Sequence, residues 1–192
     1  LLLASAAKAD DYNDVTTDLS NSFSAPTLIN LTSGANTITG RTGTSSGSID
    51  LDYFRVHVPA GSRLVAINLL AFDGTRSFIG VERGTTFTDP ATTTTANLLG
   101  WVHIVPSLVG SDILDDMGRG AGAQGFTGSL GEGDYSFWIQ ENSTPVVNYQ
   151  IALVVSPGVP ALPAPFGALL WAGLGACGIV LVARRRALTD AD

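Results

Sequence analysis

Between Asp10 and Val155 the apolar residues alternate and never settle into a helical period. Alternation at period two sends successive side chains to opposite faces of an extended chain, the pattern of a half-buried strand. Tyr53-Phe54-Arg55-Val56-His57-Val58 is the clearest case. Phe54, Val56 and Val58 face one way, Arg55 and His57 the other. Pro59-Ala60-Gly61-Ser62 then ends the run as a turn. From Arg63 to Phe72, Val65, Ile67, Leu69 and Ala71 fall on one face, with Leu64, Ala66 and Leu70 on the other. A strand apolar on both faces is expected near the centre of a sheet. Residues 78–81, 98–105, 135–140 and 149–155 read as further strands, and residues 27–31 and 36–39 as weaker ones. Short strands separated by Gly, Ser, Thr and Asp predict an all-β fold, an antiparallel sandwich over about residues 27–155. Its predicted interior is Phe54, Val56, Ile67, Leu69, Tyr135, Phe137, Ile151 and Leu153.

Charge narrows the function. The 192 residues carry 10 Lys and Arg against 17 Asp and Glu, a formal charge of −7. Lys8 is the only lysine, and between Asp10 and Ser156 six arginines face fifteen acids. Such a body repels phosphate and anionic lipid, so a nucleic-acid partner is excluded and divalent cations are tolerated or needed. A single cysteine, Cys177, rules out a disulfide scaffold and a zinc ribbon. Asp10, Asp11, Asp14 and Asp18 read as a mobile acidic N-terminal stretch.

Both ends carry targeting signals. Residues 1–9 read as the remnant of a secretory signal peptide, with Ala7 and Ala9 as the A-x-A cleavage pair before Asp10. At the other end residues 166–183, FGALLWAGLGACGIVLVA, contain no charge. As a helix they would span about 27 Å at 1.5 Å per residue, close to the roughly 30 Å hydrocarbon core of a bilayer. Arg184, Arg185 and Arg186 follow at once, which places residues 184–192 in the cytoplasm by the positive-inside rule. Residues 157–165 hold four prolines and form a stiff, extended linker. The organisation expected is therefore a signal remnant (1–9), an extracellular β-sandwich (10–156), the linker (157–165), a single transmembrane helix (166–183) and a basic tail (184–192).

A proline motif, a glycine-rich span and a terminal arginine cluster together resemble the PEP-CTERM class of bacterial sorting signals. The variant most similar has a Val-Pro-Leu-Pro-Ala core, here Val159-Pro160 and Leu162-Pro163-Ala164 with Ala161 inserted. The resemblance implies an exosortase-type enzyme as processing partner. It further implies an inner-membrane intermediate, then delivery to the cell surface or extracellular matrix of a Gram-negative bacterium.

Two stretches of the body also resemble a known family. Asp50-Leu51-Asp52-Tyr53-Phe54-Arg55-Val56-His57-Val58-Pro59-Ala60-Gly61 is similar to the D-x-D-Y-F strand of bacterial pre-peptidase C-terminal domains. Gly133-Asp134-Tyr135-Ser136-Phe137-Trp138-Ile139 and Asn148-Tyr149-Gln150-Ile151-Ala152-Leu153 are similar to their closing hairpin. The resemblance implies a jelly-roll-like β-sandwich without catalytic activity, appended to secreted proteins.

Catalytic motifs fail on their context. Gly43-Thr44-Ser45-Ser46-Gly47 spells G-x-S-x-G, but no helix follows to make a nucleophile elbow. Gly120 to Gly125 spells G-x-G-x-x-G without the strand before and helix after that a phosphate cradle needs. His57 and His103 fall on separate strands. No enzymatic role is expected and no cofactor, unless Ca²⁺. The acids of the loop at Asp112, Asp115 and Asp116 are one candidate calcium set, because Ca²⁺ takes several oxygens from one loop. Asp50 and Asp52, on one strand face, could ligate together with loop acids. Trp101 and Trp138 could stack on sugar rings, which would make extracellular polysaccharide a partner, although large strand aromatics are more often core.

Overall fold

The computed structural model describes residues 11–45, 47–141 and 146–157. Among these residues nine strands form a mostly antiparallel β structure. They are β1 (Tyr12–Asn13), β2 (Thr27–Ile29), β3 (Gly34–Ser45), β4 (Ser48–Val58), β5 (Ser62–Phe72), β6 (Ser77–Arg83), β7 (Gly100–Ile104), β8 (Gly133–Gln140) and β9 (Val147–Pro157). The one α-helix among the described residues, α1, spans only Leu114–Gly118. Strand order is β5-β9-β3-β4-β8-β6-β7. The hairpin of β3 and β4 joins the two halves at its tip, where Gly43 to Ser45 pair with Ser48 to Asp50. Beyond the tip the two strands part. β1 then adds parallel to β3 and β2 parallel to β4. Residues 11–29 thus fill the gap the hairpin leaves.

The sheet is nearly closed. On its other margin β5 receives loop backbone instead of a strand: Ile113 N–H donates to Ile67 O, Gly110 N–H to Leu69 O, and Leu64 and Leu130 exchange both bonds. Pairing of this kind satisfies backbone groups that an open edge would expose.

Period-two patterning places the core as expected. All eight residues named for the interior are at most 1 % exposed. They cluster with Ile38, Ile79, Val81 and Met117. Phe54 and Phe137, direct cross-strand partners, stack with centroids 4.9 Å apart. The opposite face of β4 and β8 is buried as well. Tyr53 stacks on Trp138 at 5.7 Å, and Phe87 meets both rings. The loop carrying Phe87 is fastened to the sheet by Glu82, whose Oε2 accepts the N–H and hydroxyl of Thr88.

Three expectations are corrected. Among the described residues β5 has a strand neighbour on one side only, so it is not central to the sheet they form. Register shifts at Val65 and Leu70 explain its two-sided apolar pattern. Each inserted residue slips the alternation by one, which turns Leu64, Ile67 and Leu69 inward and leaves Val65 and Leu70 exposed. Among the described residues the strands also start earlier than Thr27, with β1 at Tyr12–Asn13. Asp14 and Asp18 belong to that packed segment, and Asp14 is buried.

Candidate functional site

Where residues 11–29 cross the β3–β4 hairpin, carboxylates converge. Asp14 follows β1, Asp18 lies four residues on, and Asp50 sits near the start of β4. One oxygen from each lies within 4.8 Å of the other two. They line an open cavity of about 440 Å³ together with Thr16, Asn21 and Arg41. Backbone pairing builds the cluster. Asp14 N–H donates to Thr39 O, extending the β1–β3 ladder. The Asp14 Oδ1 accepts the Leu19 N–H at 2.5 Å, closing a tight turn that brings Asp18 alongside. Asn21 Oδ1 accepts the Leu51 N–H at 2.7 Å, locking the same segment to β4.

Electrostatics in the cluster is strained. Burial raises the Asp14 carboxyl above its ordinary pKa, against the backbone amides of Leu19 and Arg41 that favour its charge. The Asp14 Oδ2 is buried and has no hydrogen-bond partner. Asp50 is raised by burial and then by the charges of Asp18 and Asp14. Arg41 opposes this with its Nε 3.8 Å from Asp50 Oδ2.

Two residues along β4, Asp52 is fully buried. Its Oδ2 accepts the Tyr149 hydroxyl at 2.6 Å, and its Oδ1 has no partner. Burial pushes its pKa up to about 8, the Tyr149 hydrogen bond notwithstanding. Desolvation wins because one hydrogen bond does not replace a carboxylate's hydration.

The other sequence candidates are placed differently. Asp112 Oδ1 accepts the N–H of Ile67 at 3.0 Å and of Leu114 at 2.9 Å, so this carboxylate ties α1 to β5. Asp116 accepts from Arg119 Nη2 at 2.8 Å, and Asp115 stands with it in the first turn of α1. Replacing Asp112 with Ala should cost about 1–2 kcal/mol by freeing two backbone donors. A urea melt measures this, and an unchanged midpoint would contradict the tie.

Gly43 to Ser45 and Gly47 form the tip of the β3–β4 hairpin, followed by strand and not helix. His57 Nδ1 lies 2.9 Å from Asp134 Oδ1 on the sheet surface. The nearest serine on that face in the ladder, Ser136, is buried and donates to Gly84 O and Thr86 O. Trp138 is covered by Tyr53 and Phe87, whereas Trp101 is partly exposed, stacked on Phe78 and donating to Ala121 O. Among the described residues no helix is long and apolar enough to cross a membrane. The signal pair Ala7 and Ala9, the motif from Val159 to Ala164, residues 166–183 and Arg184 to Arg186 all lie outside the described residues.

Sequence reading singled out Asp50 but missed Asp14 and Asp18 as its companions. They stand 36 and 32 residues away in the chain, and only the parallel pairing of β1 with β3 unites them. No protein-family model, curated protein or solved structure matches this chain.

Proposed function

We propose that this chain is a non-catalytic surface or extracellular-matrix protein of a Gram-negative bacterium, exported and then sorted through its C-terminal tail. One observation carries the reading: a proline motif, an uncharged 18-residue stretch and three arginines follow one another directly after Pro157, the last residue of β9. Each part has its own physical role. The linker holds accessible backbone outside the membrane, the stretch spans it, and the arginines resist translocation. The β domain is read as a jelly-roll-like sandwich. Its acidic, lysine-free body suits life outside the cell, where it avoids adhesion to anionic lipid. An exosortase-type enzyme is the proposed partner, acting near Val159 to Ala164, with extracellular polysaccharide as a second proposed contact, made by the released domain.

Mass spectrometry of the mature surface protein tests this. The expected product starts at Asp10 and ends near residues 160–164. Peptides from the arginine tail, covalently continuous with the body, would leave a permanently anchored single-pass protein as the better account. Replacing Arg184, Arg185 and Arg186 with Ser should weaken retention during export, read as tail protection from external protease. Wild-type insertion and processing of that variant would remove the anchor role from the arginines.

A further inference from the structure

We propose that Asp14, Asp18 and Asp50 bind a calcium ion at the seam between the N-terminal segment and the β3–β4 hairpin. Three observations meet there. The first is spacing. Calcium–oxygen distances of about 2.3–2.6 Å put ligands on opposite sides of the ion about 5 Å apart. The three carboxylates offer oxygens within 4.8 Å of one another, so a single ion reaches all of them with little movement. The second is the buried oxygen. Asp14 is 2 % exposed and is one of the residues lining the cavity, and its Oδ2 has no hydrogen-bond partner. A buried carboxylate oxygen left bare is costly, and a cation is the partner that satisfies it best. The third is charge. Among the described residues Arg41 is the only basic one lining the cavity, and at 3.8 Å from Asp50 through its Nε it balances one carboxylate of three.

Ligand chemistry favours calcium over other divalent ions. All three acidic donors are oxygens, and among the described residues no His or Cys lines the cavity. That disfavours zinc and copper. The cavity is open and bordered by hydroxyls and an amide, leaving room for the water and extra oxygens that complete a coordination number of six to eight. Magnesium, which demands a tight octahedron, gains less from a loose set of three. The ion would join residues 11–29 to the sheet, since two ligands come from that segment and one from β4. The assignment stands whether or not the chain is exported.

The test is calorimetric titration of calcium chloride into the full chain, held in detergent and stripped with a chelator. One saturable site is expected, in the range of about 10⁻⁴–10⁻³ M typical of extracellular modules. The exposed Asp18 is the informative position, because Asp18→Asn exchanges a charged ligand oxygen for a neutral one without touching the core. That variant should weaken binding about tenfold or more, while circular dichroism stays that of wild type. The double variant Asp115→Asn, Asp116→Asn should bind as wild type. Absence of a saturable site up to about 10 mM calcium, wild-type affinity in Asp18→Asn, or loss of binding in the Asp115, Asp116 double variant would each overturn the assignment. Equal affinity for magnesium would overturn the choice of calcium.

Discussion

Replacing Gly40 with alanine should destabilise the domain by about 1–5 kcal/mol. Gly40 lies on β3 directly opposite Tyr149 on β9. A Cβ there would fall 2.3 Å from both Cζ and Oη of that ring. Nothing small yields to relieve it. Tyr149 is 2 % exposed, and its hydroxyl donates to Asp52 Oδ2 at 2.6 Å. If the ring retreats, Asp52 loses its one hydrogen-bond donor and stays buried. Overpacking of this kind costs about 1–3 kcal/mol, and an abandoned buried acceptor a further 1–3 or so. The entropic gain of Gly→Ala, about 0.5–1 kcal/mol, does not offset them. Urea melts of the variant give the number. In a Tyr149→Leu background the same change should cost less than about 1.5 kcal/mol, because the clashing atoms are gone. Equal costs in both backgrounds would mean that Tyr149 does not fill the space over Gly40.

That pairing shows where a sequence stops being readable. Phe54, Val56 and Val58 announce their burial because each obeys the same alternation as its neighbours, and Phe137, Ile151 and Leu153 do likewise. Local period was enough for them. β5 defeats it: the bulges at Val65 and Leu70 shift the phase twice, and no local composition marks them. Tyr53 and Trp138 were legible as strand residues but not as a second buried layer, which exists only because the Phe87 loop folds back over them. The acidic site is less legible still. Asp50 and Asp52 share a strand face as their spacing requires. Yet one opens to the Asp14 and Asp18 cavity while the other sinks into the interior beside Tyr149, 97 residues away. Local acidity suggested a mobile N-terminus. Hydrogen bonds from Leu19 to Asp14 and from Leu51 to Asn21 give it a fixed place instead.

In chelator, the domain should lose stability as pH rises from about 4 to about 8, by about 2–4 kcal/mol through Asp52 alone. The sign follows from the direction of the shift. Burial raises Asp52 from its ordinary 3.8 to about 8 in the folded chain. The folded state therefore binds its proton more tightly than the unfolded state does. Stability from this group is complete below about pH 4, declines as pH climbs between the two values, and levels off above about 8. Each tenfold difference in proton affinity is worth about 1.4 kcal/mol, which sets a ceiling of about 6 kcal/mol, reduced by relaxation around the charged form. Asp14 and Asp50 are shifted in the same direction and add to the slope. Asp52→Asn isolates the one contribution. An amide keeps the acceptor for the Tyr149 hydroxyl and carries no charge at any pH. The variant should match wild type at or below about pH 4 and exceed it near pH 8 by those 2–4 kcal/mol or so. Denaturant melts across that interval decide it. Parallel profiles for the two proteins would mean that Asp52 ionises as freely inside the fold as outside, and that the buried pair with Tyr149 holds no proton.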